Sequence, residues 1–152
     1  MNYLILVVLH ICLAAMWFGA PMMMGSVLKR SAAAGPAAFA AGARVANRMA
    51  LLGGIGCVGA LLTGLSLVFM VYGGLSRLPI PFHVALSMVL LGVVLSLGAI
   101  WPATRRLALA AQAEGYSPSS AGSTLKQLTM MSGVNHTLWL GSLICMYAAK
   151  LF

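Results

Sequence analysis

Three histidines fall in three different apolar stretches of the chain: His10, His83 and His136. A neutral imidazole in such a setting can ligate a metal, relay a proton or hydrogen-bond to a neighbouring helix. His10 lies inside LHICLAAMWFGAPMMM, residues Leu9 to Met24. Trp17 follows seven residues later, which on a helix puts the two rings near one face. An ionisable ring within an apolar helix is by default a functional-site candidate and needs a partner.

The elements that must position these rings are membrane helices. The 152 residues are 62% hydrophobic and 7% charged, against roughly 25% charged in a soluble domain. Nine Lys and Arg face a single acid, Glu114, for a net charge of +8. In a soluble chain that balance would suggest nucleic acid. Here the cations sit in connectors, where they set topology and meet anionic lipid headgroups, so nucleic-acid binding is excluded. Cys12, Cys57 and Cys145 lie in separate apolar stretches with no CxxC, so they read as buried thiols rather than a zinc knuckle or covalent haem attachment. The N-terminal stretch has neither a basic n-region nor an A-x-A site directly after it, and is expected to be the first span rather than a cleaved signal.

Four stretches approach the ~20 residues that cross a bilayer: residues 3–24, 49–72, 81–101 and 130–151. The first connector carries Lys29, Arg30, Arg44 and Arg48, and the third Arg105, Arg106 and Lys126. The short second connector, GGLSRLPIP, carries only Arg77, and Lys150 stands alone at the C-terminal end. The positive-inside rule then puts both termini outside and both long connectors in the cytoplasm. Helix formers after Gly35-Pro36, in RRLALAAQAE and before the fourth stretch extend helices 2, 3 and 4 on the cytoplasmic side, and GYSPSS breaks the third. Small-residue stripes at Gly56–Ala60–Gly64, Gly92–Ser96 and Gly133–Thr137–Gly141 allow close helix contact in lipid. The expected fold is all-α: one domain, residues 1–152, an integral membrane four-helix bundle with N-out and C-out topology.

In that frame His10 and His83 share the outer half, separated in depth by roughly 5–8 Å for untilted helices, a gap that helix tilt narrows. Imidazoles from two helices could clamp a haem iron from both sides, with Arg77 pairing a propionate and Trp17 at the edge of the ring. Purely structural hydrogen bonds for both histidines are the competing reading. His136 is the reserve ligand, a proton relay or an interhelical hydrogen-bond donor. Ser132, Asn135, His136, Trp139 and Ser142 line one side of the fourth stretch, and a polar stripe in a membrane helix faces the bundle or a protein partner. Eleven methionines raise copper handling, since thioethers suit Cu(I), although Met22, Met23 and Met24 point three ways. The enzyme motifs HExxH, GxSxG and the P-loop are absent, so any oxidoreductase chemistry must come from a cofactor.

The segment LHICLAAMWFGAPMM, with the pattern H-x6-W-x-G in His10, Trp17 and Gly19, resembles the opening helix of small bacterial membrane families grouped around the CopD copper-resistance domain. LLTGLSL, WPATRRLA and MYAAK also look like such proteins. The wider group includes HemJ-type protoporphyrinogen oxidases, and similarity to them implies a multi-pass protein of the bacterial inner membrane with His10 at a haem b ligand position. The third stretch has no lysine, a departure from that family, so the resemblance implies a related haem or copper role rather than the oxidase activity itself. Expected partners are membrane lipid, a larger membrane complex docked through the fourth helix if the chain is an accessory subunit, and a second copy of the chain.

Overall fold

The computed structural model describes residues 2–113 and 115–149. Glu114 lies outside them, as do Lys150 and Leu151 at the end of the expected fourth span. The described chain is all-helical. Its six helices are α1 (Asn2–Met22), α2 (Met24–Ala33), α3 (Pro36–Tyr72), α4 (Ile80–Leu95), α5 (Trp101–Ala110) and α6 (Gly122–Ala148). They form four long rods, because α1 runs on into α2 and α4 runs on into α5.

Both interrupted rods break at proline. Pro21 has no N–H for the carbonyl of Trp17, and α1 ends one residue later. Pro102 has none for the carbonyl of Gly98, and a single π-turn, Ser96–Ile100, ends two residues before it. The second rod ends differently. Gly73 adopts the left-handed conformation, φ 71°, and returns its N–H to the carbonyl of Phe69 at 3.1 Å, a glycine cap of the usual kind.

Three of the rods are long and apolar enough to cross a membrane: Tyr3–Ala33, Pro36–Tyr72 and Ile80–Ala110. The fourth, α6, has the length, 27 residues, but its Ser, Asn, His and Thr residues dilute its hydropathy. Large apolar side chains lie exposed along the outside, among them Leu4, Ile5, Ile11, Leu62, Leu91, Val94 and Ile144. That distribution suits a hydrocarbon solvent, which imposes no cost on exposed leucine.

The two ends of the bundle are packed differently. At the end bearing the two long connectors, Leu28 of α2, Phe39, Ala43 and Ala46 of α3, Leu107 of α5 and Leu128 of α6 share one buried cluster. The α3 members recur at helical spacing and face inward, while Lys29, Arg30, Arg44, Arg48, Arg105, Arg106 and Lys126 are all exposed around them. The expected helical extensions thus build an amphipathic layer with a basic exterior. Toward the other end the buried apolar cluster shrinks to Trp17, Cys57 and Val89.

The α3 stripe is where α1 docks. A Cβ on Gly56 would stand 2.6 Å from the backbone N of Trp17, and one on Gly53 would stand 2.5 Å from Cγ of Pro21. Gly92 of α4 makes room for the Trp17 indole in the same way, at 2.5 Å from Cζ2. In α6 the expected stripe is only partly used. Gly141 meets Sδ of Met88, whereas Gly133 has nothing within 4 Å and Thr137 is exposed. The reason is rotational: α6 turns Ser132, Asn135 and Ser142 inward, and that leaves Gly133 on the outer side.

A lateral cleft with one imidazole

Polar side chains from the middle of the bundle tie α1 to α6. The Trp17 indole Nε1 donates to Oδ1 of Asn135 at 3.2 Å, and Ser96 Oγ donates to the same oxygen at 3.4 Å. Trp139 Nε1 donates to the carbonyl of Ala14 at 2.9 Å. His136 Nε2 lies 3.1 Å from the carbonyl of Phe18 and must carry the proton, since a carbonyl only accepts. Its ring also meets Phe18 edge-on, with centroids 5.1 Å apart. The polar stripe of the fourth rod is therefore engaged within the chain.

Beyond this seam, toward the end bearing the short turn Leu75–Arg77, the helices part. A cleft of about 550 Å³ opens between α1, α3, α4 and α6, within the ~300–1,000 Å³ range of small-molecule and cofactor sites. Trp17 and Val89 close its deep end, and Leu61, Val68, Phe82 and Leu86 contribute to its walls. Tyr72 packs edge-on against Phe82, with centroids 5.6 Å apart, near the end bearing that turn. The lining is predominantly apolar.

His10 is the only imidazole among its described lining residues. Its ring sits over Gly64, where an added Cβ would stand 3.1 Å from Cε1. Nδ1 is 3.0 Å from Oγ1 of Thr63. That hydroxyl donates its one hydrogen back along α3 to the carbonyl of Gly59, 2.7 Å away, the usual habit of threonine in a helix. Its lone pair is left to accept, which assigns the proton of neutral His10 to Nδ1 and the free lone pair to Nε2. The Ala60 carbonyl also lies close to the ring, and among the described residues no hydrogen bond of good geometry reaches Nε2. Among the described residues every sealed side-chain nitrogen or oxygen has a partner, so Nε2 is not sealed off, and His10 lines the cleft.

This arrangement holds an imidazole in one tautomer and one orientation, as the outer-sphere partners of metal-bound histidines do. Thr63 is inconspicuous in the sequence. Its signal was position alone: it adjoins Gly64 on the stripe that receives α1.

The other predicted residues are dispersed. Trp17 is buried at the cleft's deep end, 2% exposed, and faces Asn135. His83 is exposed and does not line the cleft; its neighbours Phe82 and Leu86 take the inward face of α4. Arg77 is exposed on the short turn Leu75–Arg77, its guanidinium beside Gly73 at the C-terminal end of α3, where the helix dipole favours a cation. His136 is occupied by Phe18. The structure thus brings His10 and Trp17 to one cleft and does not bring His83 or His136 there. Among the described residues no three His, Cys, Asp or Glu side chains gather as a metal-binding set, and Met22 and Met23 are exposed while Met24 is buried.

No protein-family model matches the chain, and no curated protein or solved structure matches it.

Proposed function

We propose that the chain is a multi-pass protein of the bacterial inner membrane, with four spans and both termini outside, that binds b-type haem in the lateral cleft for electron transfer or porphyrin handling. The observation that carries this reading is His10: an imidazole with Nδ1 tied to Thr63 and Nε2 open in an apolar cleft of about 550 Å³. A macrocycle brings four of its own nitrogens, so one or two protein ligands suffice, and the described residues need not gather a larger ligand cluster. When bound, haem supplies one-electron redox chemistry.

The chain's own contribution is positional. Thr63 keeps the Nε2 lone pair aimed, and Gly64 leaves the ring its place. The apolar walls exclude water and favour a planar hydrophobic guest. Leu75 and Leu78 line the cleft on either side of Arg77, which puts that cation at the rim, where a propionate could pair with it. His83 has no part in this arrangement.

The test is an absorption spectrum of the full chain purified in detergent from haem-replete cells. A Soret band that shifts on dithionite reduction and is lost in His10→Ala supports the reading. A colourless protein that also fails to take up added hemin overturns it. Stoichiometric copper in such a protein would replace it with copper handling, and metal-free co-purification with larger subunits would replace it with an accessory role.

A further inference from the structure

Resting on the haem reading, we infer that Met146 of α6 is the second axial ligand, opposite His10. It is the only thioether among the described residues that line the cleft. The seam fixes its level. His136 bonds to Phe18 and Trp139 to Ala14, so α6 runs antiparallel to α1, three residues along one matching four back along the other. Continuing outward at that ratio, position 142 of α6 stands level with His10. Met146 is four residues, about one turn, beyond it, about 6 Å at ~1.5 Å per residue.

Met146 is also seven residues after Trp139, so it lies on the same side of α6, the side Trp139 turns toward α1. His10 rests against the α1–α3 wall, over Gly64. Met146 comes from the α6 wall across the same space. An unbranched side chain with three rotatable bonds can take up a turn's difference in level.

Other donors in the cleft do not meet the requirement. Tyr3 is seven residues outward of His10 and Tyr72 eight outward of Gly64, each roughly 10 Å or more at ~1.5 Å per residue. His83 lies outside the lining. A histidine–methionine pair makes a six-coordinate centre and raises its potential relative to two imidazoles. That suits electron transfer better than porphyrin exchange, which needs a more weakly held guest.

The experiment titrates the purified full chain with hemin and records the ferric electron paramagnetic resonance spectrum, the ferrous carbon monoxide response and the midpoint potential. The unmodified chain should be low-spin and bind carbon monoxide poorly. Met146→Leu, similar in volume, should keep hemin through His10, turn high-spin and bind carbon monoxide readily. Met146→His should restore the low-spin signal at a more negative potential. A high-spin signal from the unmodified chain overturns the proposal without a variant and leaves the haem reading standing. So does a low-spin signal that survives Met146→Leu and disappears in His83→Ala. If the unmodified chain takes up no hemin at all, the haem reading fails and the Met146 assignment with it.

Discussion

Trp17 and Asn135, 118 residues apart, meet through an indole N–H and an amide oxygen 3.2 Å apart at the deep end of the cleft. The contact joins the first rod to the last. Ser96, the first residue of the π-turn of the third rod, donates to the same oxygen, so one side chain of α6 anchors three rods. Trp17 and Asn135 are almost wholly buried, and water cannot replace the acceptor if it is lost.

Asn135→Leu keeps the branched shape and heavy-atom count, in a somewhat larger side chain, and removes that acceptor, stranding two donors. Interhelical hydrogen bonds in membranes are individually modest, ~0.6–2 kcal/mol, and leaving buried donors unpaired adds ~1–3 kcal/mol. The expected loss is about 2 kcal/mol, read as a lower unfolding midpoint in detergent. Unchanged stability would show that the anchor is incidental.

The docking of α1 on α3 makes a sharper contrast between two glycines. Gly56→Ala places a methyl group 2.6 Å from the backbone N of Trp17, and a backbone atom cannot swing aside, so the helices must separate. Overpacking of this kind costs typically ~1–3 kcal/mol. Gly133→Ala meets nothing within 4 Å and should gain up to about 1 kcal/mol from helix propensity. Thermal unfolding of both variants side by side checks the opposite signs.

How much of this was legible beforehand varies with the kind of information needed. The Gly56–Ala60–Gly64 stripe was readable because small residues at helical spacing in an apolar segment have one common use, backbone approach. His10 was readable because an ionisable ring is conspicuous among leucines. The facing of His83 was not, since it depends on how α4 is rotated about its axis, and Phe82 and Leu86 could equally have been outside. The Thr63 contact to His10 spans 53 positions, and a threonine that bonds its own helix looks self-sufficient in one dimension. The inward stripe of α6 was visible as polar, but whether it served this chain or another could be settled only by finding Trp17, Phe18 and Ala14 opposite it.

Topology is open to a chemical test. The seven described cations at the tightly packed end, against Arg77 at the other, predict that the turn Leu75–Arg77 faces outward and the 3-10 turn Pro118–Ala121 faces the cytoplasm. Ser76 and Ser119 are both exposed. In a background with Cys12, Cys57 and Cys145 replaced by alanine, Ser76→Cys should react with a membrane-impermeant maleimide in intact spheroplasts. Ser119→Cys should react only after lysis. The reverse labelling pattern would invert the assigned orientation.

The role given to Thr63 can be separated from that of His10. Thr63→Val is nearly isosteric and removes the oxygen that accepts from Nδ1, so the imidazole loses both its fixed tautomer and its hold over Gly64. Removing an outer-sphere partner of this kind typically costs ~10–100-fold in metal affinity, and hemin affinity measured by titration should fall by about that factor. Thr63→Ser keeps an oxygen at the same position and should recover most of the loss, while His10→Ala should abolish axial ligation altogether. The ordering is the informative part. A purely steric role would let valine match threonine, because the methyl group fills the space of the hydroxyl, and would make serine the poorer substitute. A hydrogen-bonding role puts serine above valine. Equal affinities for threonine and valine would leave His10 to hold its orientation by packing alone.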